Sequence, residues 1–285
     1  MPDTDEHVIE AVGKTRVVVR NGKVVEVGEA IITDCPLAKR FACPVPEISA
    51  DAVRENIEHR IKAFGMCTPE RVVLETREFV GFGASELLSF GIKAGLIDAA
   101  VLACDGAGTV VVTDPAMVQG IGGRMSGLVR TTPYPSVMDR IEEGGGFVLD
   151  RETAAMNPAA GVALAEEKGY RKIAVTVALP EDAAAIREAH PDAFIVAVHV
   201  TGMTRDGAAT VAAAADLVTT CASGTVREIA GSRALVQAGV SVPVYAMTER
   251  GKDLILEKVR RSDEQVLVKP TRLPAMGGRQ PEPLV

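Results

Sequence analysis

At 285 residues, 47% of them apolar and 24% charged, the chain has the composition of a globular protein that can build a full core without staples. A formal charge of -7 argues against general nucleic-acid binding, which needs a broad basic face. The apolar runs, such as Ala193 to Val198, fall far short of the roughly 20 residues that cross a bilayer, and the acidic start MPDTDEH has no secretory pattern. The expectation is a cytoplasmic protein without a membrane span. Five scattered cysteines, an odd number, suit thiols or metal ligands rather than a disulfide scaffold.

In chain order, TRVVVR and KVVEVG flank Asn21-Gly22, a pair that supplies the positive φ angles of a type I′ turn, so the segment predicts a β-hairpin. ITDCPLAKRFACPVPE carries too many prolines for a helix interior or a central strand and reads as an ordered loop or a site. Ser49 is placed to cap a helix running to about Ala63, with Val53, Ile57 and Ile61 on one face and Gly65 to stop it. RVVLE, GASELLSFGIKAG and LIDAAVLAC then predict strand, helix and buried strand, a βαβ unit.

Farther along, the runs KIAVTVA, AFIVAVHV, DLVTTCA and VPVYAM alternate with helical segments, of which TVREIAGSRALVQAG reads as one. Such alternation defines an α/β fold with parallel strands flanked by helices, here preceded by the N-terminal hairpin and arranged as two α/β halves. The expected division is residues 1–140 for the hairpin and first half, 141–158 for a glycine-rich joint, 159–269 for the second half, and 270–285 for a loose tail.

Ligands of α/β sheets bind beyond the carboxyl ends of the strands, so the residues following each strand are the candidates. After LIDAAVLA come Cys104, Asp105, Gly106, Gly108 and Thr109; after LVTT come Ser223 and Thr225. The stretch CDGAGTVVV fits neither a dinucleotide fingerprint nor a Walker loop. Gly122, Gly123, Arg124 and Ser126 are more suggestive, because small residues let backbone amides form an anion nest and an arginine grips phosphate or carboxylate. A glycine-permitted turn with a surface arginine is the plain alternative.

Cys43, Cys67 and Cys104 read as lying in exposed turns, which admits a reactive thiol, with Cys67, Cys104 and Asp105 as catalytic candidates. A metal set of Cys35, Cys67 and Cys104 is the other option, although no C-x-x-C pair supports it. His199 reads as a buried strand histidine, His59 and His190 as surface residues, and His7 as terminal. Asp114 before Pro115 can cap a helix.

The strings DEHVIEAVGKTRVVVRNGKVVEVGE, DCPL, VRENIEHRIKAFGMCTPERVV, GLIDAAVLACDGAGTVVVTDPAMVQGIGGRMSGLVRTTP and KIAVTVA resemble the methanogenesis marker 8 protein family of methane-forming archaea. The likeness covers most of the chain and is weakest over Phe41 to Pro46 and beyond Pro270. It implies a link to methanogenesis and names no reaction, cofactor or catalytic residue. ASELLSFGIKAGLIDAAVLA is also locally similar to the flavin-bearing beta subunit of deazaflavin-reducing hydrogenases, which adds flavin to an iron-sulfur cluster as a cofactor to consider.

Three functions follow. The first is an accessory factor for the methyl-coenzyme M reductase system or its cofactors, holding an anionic small molecule beside a thiol. The second is an enzyme acting on a phosphorylated or carboxylated metabolite through a cysteine or a cluster. The third is an interaction subunit whose Cys35 to Pro46 segment docks on a protein of the methanogenic machinery.

Overall fold

The structure, a computed structural model, describes residues 5–125 and 127–285. It is α/β, with an N-terminal antiparallel hairpin and a larger sheet whose parallel strands are flanked by helices. Asn21 (φ 48°) and Gly22 (φ 68°) form the predicted turn between β2 (Arg16–Arg20) and β3 (Lys23–Val27). The hairpin extends into a sheet of order β3-β2-β1-β6, with β1 (Glu6–Glu10) at its centre and β6 (Gly127–Arg130) beyond it. Helix α1 (Ala50–Phe64) covers one face, packing Val53 and Ile57 against Ile9, Val17 and Val19.

Both ends of α1 follow local chemistry. Ser49 Oγ accepts from the Ala52 amide at 3.2 Å, and Gly65 closes the helix at φ 71°. A Cβ on Gly65 would lie 2.5 Å from the carbonyl carbon and oxygen of Glu70, so the position needs glycine for space as well as for its dihedral.

RVVLE forms no strand. It runs extended without a ladder partner, exposing Val72 and Leu74, and its carbonyl at Val73 crosses over Gly120, where a Cβ would come within 2.2 Å. The expected βαβ unit is therefore absent. Helix α2 (Ala84–Lys93) leads instead into β4 (Ala99–Cys104), which turns directly into antiparallel β5 (Gly108–Val112). Gly106 and Gly108 supply positive φ in that turn, so CDGAGTVVV is a hairpin.

Helix α3 (Pro115–Gly122) is capped by Asp114, whose Oδ1 accepts from Ala116 at 2.7 Å. Then come β6, α4 (Pro135–Glu143), the short β7 (Phe147–Val148) and α5 (Pro158–Glu167). The second half runs β8 (Ile173–Val177), α6 (Pro180–Ala189), β9 (Phe194–Ala197), α7 (Arg205–Ala214) and β10 (Leu217–Thr219). It finishes with α8 (Gly224–Arg233), β11 (Val236–Ala238), β12 (Val244–Ala246) and α9 (Glu249–Arg260). TVREIAGSRALVQAG thus divides into a helix and a strand, because Val236 to Ala238 pair with β12.

The large sheet has the order β11-β12-β10-β9-β8-β4-β5-β7. It crosses the 141–158 segment without a break: β4 from before it and β8 from after it pair in parallel. Helices α5 to α8 cover one face through Val162, Ile186, Val211 and Val226. Helices α2, α3, α4 and α9 cover the other through Leu87, Val118, Met138 and Leu254. One-handed crossovers between successive parallel strands put α6 and α7 on the same side.

Beyond Pro270 the chain returns to the body. Glu282 bridges Asp34, the Gly224 amide donates to the Val285 carbonyl at 2.8 Å, and Val285 donates to Ala222. No helix among the described residues is long and apolar enough to cross a membrane.

Replacing Gly65 by alanine is expected to cost upward of about 2 kcal/mol, since the left-handed penalty of ~1–2 kcal/mol adds to the overlap with Glu70. Urea unfolding of the wild type and Gly65→Ala measures this.

Candidate functional site

The small sheet sits over the carboxyl end of β4, and a buried polar cluster fills the seam. Its centre is Asp105, the first residue after β4, whose side chain is fully buried. Asp105 Oδ1 accepts from Arg71 Nε at 2.8 Å and Oδ2 accepts from the Cys67 amide at 2.6 Å. Arg71, also fully buried, donates onward to the carbonyls of Gly120, at 3.1 Å, and Val72, with its guanidinium 5.0 Å from the Phe64 ring centre. A buried carboxylate needs such partners, and breaking the pair from one side costs about 3–5 kcal/mol.

Cys67 stands at φ 56° in the turn after Gly65, and its side chain belongs to the small-sheet core; Cys104 belongs to the large-sheet core. The two thiols therefore flank Asp105 from opposite cores. Both are buried, contrary to the exposed turns expected for them, while Cys43 is half-buried. Cys104 donates weakly to the Asp105 carbonyl at 3.4 Å. Burial, reinforced by the negative charge of Asp105, pushes the Cys104 thiol up to about 12 and the Cys67 thiol well above its ordinary value. Near neutral pH both are thiols, not thiolates.

His7 closes the cluster from β1. Far from being a loose terminal residue, it is fully buried, with Nδ1 2.7 Å from Thr131 Oγ1 and Nε2 3.0 Å from the Tyr134 hydroxyl. Thr131 Oγ1 accepts from the Gly106 amide at 2.7 Å, and Tyr134 donates to Asp5. This chain of donors is satisfied when His7 accepts at Nδ1 and donates from Nε2. Burial lowers the His7 pKa, against the opposing pull of Asp105 and Asp5. A second clamp lies nearby: His199, just past β9 at φ 58°, reaches Glu10 Oε2 at 2.8 Å.

At the edge of this cluster three guanidinium groups crowd two phenylalanines. Arg124 stacks on the Phe64 ring at 4.6 Å, on the same residue as Arg71, and pairs with Glu75 at 2.6 Å. Its Nη1 is buried without an acceptor among the described residues. Arg60, one turn before the end of α1, lies 5.1 Å from the Phe41 ring centre and donates to the Arg124 carbonyl at 3.3 Å. No carboxylate pairs with Arg60 among the described residues. Burial, with the like charge of Arg71 next in size, draws its pKa down to about 10. Glu75, held by the Arg77 amide and by Arg124, is depressed to about 2.

The remaining candidates are placed differently from a nest. Gly122 ends α3, Gly123 donates to Gln119 at 3.0 Å and Arg124 to Ile121 at 3.4 Å, so these amides are spent within the chain. Ser126 lies outside the described residues. Gly106, Gly108 and Thr109 are bonded to or packed against Thr131, Ala154, Ala155 and Asn157. Ser223 caps α8 through Val226, and Thr225 donates to Met203 at 2.6 Å. Both sit at the end of β10, three strands and about 14 Å from β4 at ~4.8 Å per strand. Cys35 packs against the same small-sheet core as Cys67, with Cys221 as its neighbouring thiol, whereas Cys104 belongs to the large-sheet core. No group of three or more His, Cys, Asp or Glu with metal-holding geometry occurs among the described residues.

Of the candidates read from the sequence, Cys67, Cys104, Asp105 and Arg124 lie in or beside this cluster. Sequence reasoning missed Arg71, His7, Tyr134 and Arg60. Arg71 and Tyr134 look like ordinary loop and pre-helix residues, and His7 meets partners 124 and 127 positions away. The one local signal was the short pattern EHVIE, which forms β1.

Fold and site define an α/β protein whose parallel-strand rim is sealed by a small β-sheet over a buried Asp-Arg-His-thiol cluster. The family model described as "Uncharacterized protein conserved in archaea (DUF2099)" matches residues 7–260, and the chain belongs to that family. It is 43% identical over 284 residues to "Uncharacterized protein MJ0054" of Methanocaldococcus jannaschii, covering 99% of this chain and 100% of that one. No solved structure matches the chain.

Two outcomes test the cluster. Native protein at pH 8 should alkylate Cys67 and Cys104 with iodoacetamide only on denaturation, as read by peptide mass. Because the folded pKa of His7 lies below the ordinary 6.5, the unfolded chain binds the extra proton as pH falls through about 6.5, and stability declines there. Urea titrations from pH 8 to 5 should show that loss, and His7→Gln should flatten it.

Proposed function

We propose that this archaeal protein is an accessory factor of methanogenesis, serving the biogenesis or maintenance of the methyl-coenzyme M reductase system or its cofactors. It works by binding an anionic small molecule at Arg60 and Arg124. The observation that carries the binding reading is a charge imbalance among the described residues: Arg60, Arg71 and Arg124 crowd together against Asp105 and Glu75 alone, and Arg124 Nη1 has no acceptor there. A phosphate or carboxylate supplies the missing charge and the missing acceptor in one group. The methanogenic setting is supported by the likeness to the marker family. Protonated, enclosed thiols favour binding over nucleophilic turnover, so Cys67 and Cys104 carry no covalent step in this reading.

Calorimetric titration with inorganic phosphate, pyrophosphate and succinate tests the site and separates phosphorylated from carboxylated ligands. The wild type should bind at least one of these probes, and Arg60→Ala and Arg124→Ala should each weaken it tenfold or more with little change in thermal midpoint. In a deletion strain, methane formation should be restored by the wild-type gene and not by either variant. Wild-type protein that binds none of the probes, or variants that bind like the wild type, would refute the site.

A further inference from the structure

A second place in the molecule gathers buried polar groups that lack partners. Thr220 Oγ1, Arg227 Nε and the Tyr245 hydroxyl have no hydrogen-bond partner among the described residues, and their residues are 0%, 2% and 0% exposed. Three links bring them together beneath α8. Val218 and Tyr245 face each other across β10 and β12 in the core that α8 covers, and strand alternation carried past β10 puts Thr220 on that face. Arg227 Nη2 donates to the carbonyls of Cys221 at 2.8 Å and Ser241 at 2.9 Å, which holds the guanidinium against the residue after Thr220. One helical turn farther on, a Cβ at Gly231 would lie 3.0 Å from the Tyr245 hydroxyl, so that oxygen sits directly under the helix.

The electrostatics of this spot are one-sided. The other acceptors of Arg227, Gln280 Oε1 and Met276 Sδ, are neutral, and no carboxylate pairs with it among the described residues. Burial raises the nearby Cys35 thiol, so it adds no counter-charge at neutral pH. The N-terminus of α8 is already met by Ser223 and by the Val285 oxygen that accepts from the Gly224 amide, so the unmatched charge is that of Arg227 itself. Arg227 Nε can only donate, and both hydroxyls can donate. Water would meet the hydrogen bonds and leave the charge unmatched, whereas an anion meets both requirements.

We propose that Thr220, Arg227 and Tyr245 form a buried seat for a small monoanion of the halide or formate class, separate from the Arg60 and Arg124 site. Binding there ties the β10 loop, α8 and the Met276 to Gln280 segment together, so the anion stabilises the folded chain. Crystals of the full chain soaked in bromide should show an anomalous peak within hydrogen-bond distance of Arg227 Nε and the Tyr245 hydroxyl. At constant ionic strength, replacing methanesulfonate by chloride should raise the thermal midpoint. Arg227→Gln should abolish the chloride dependence, Tyr245→Phe should weaken it at least tenfold, and Arg60→Ala should leave it intact. Water alone at that position in the bromide-soaked wild type, or a midpoint indifferent to chloride, would overturn the seat whatever happens at Arg60.

Discussion

The buried charge of Asp105 is the constraint on which the rest of the molecule depends. A carboxylate at the end of a parallel strand, shut away from water, is tolerable only if donors surround it. Arg71 and the Cys67 amide do so, and both come from the loop after α1. That loop can reach Asp105 because Gly65 and Cys67 both turn through positive φ, and because Gly120 leaves α3 bare where Val73 crosses it. Hydrophobic packing on both sides then keeps the ion pair dry, with Cys67 contributed by one core and Cys104 by the other. A pair of this kind adds little net stability over an apolar substitute, but it penalises every arrangement in which one partner is missing. Its effect is to specify how the two sheets meet.

The small sheet supplies the lid of that arrangement. β1 pairs with β2 a few residues on and with β6 more than a hundred residues on, so the chain that leaves α3 must come back to the N-terminal hairpin before α4 begins. His7 with Thr131 and Tyr134, and Glu10 with His199, then fasten the sheet at two points along the rim. In an open α/β sheet the rim is where a ligand enters. Here the end of β4 is filled by protein groups, and to its side lies Arg60, which no carboxylate pairs among the described residues, next to the Glu75-bound Arg124. In the proposed reading the anion is held by side chains rather than backbone amides, since α3 presents its carbonyl end to this region.

The cysteines illustrate how context reverses a residue-level reading. Beside prolines and glycines they look like exposed, adaptable thiols. Enclosed next to a carboxylate, Cys67 and Cys104 instead become weak acids that keep their protons. Their place at the seam is retained; their reactivity is not.

The features legible along the chain are those whose causes are local. Asn21-Gly22 makes its hairpin, Ser49 and Gly65 bound their helix, Asp114 caps α3, and alternating apolar and helical segments set out the parallel strands, because turn dihedrals, capping and hydrophobic period all act within a few residues. RVVLE shows the boundary of that method: its pattern suits a strand, yet a strand exists only if a neighbour offers a ladder, and none does. Asp105, Cys67, Cys104 and Arg124 were legible as candidates by their position after a strand or in a glycine-rich stretch. What the tertiary structure alone decided was that Arg71 neutralises Asp105, that His7 is interior, and that Arg60 has no carboxylate partner among the described residues, since burial and ion pairing depend on which distant segments the core brings into contact.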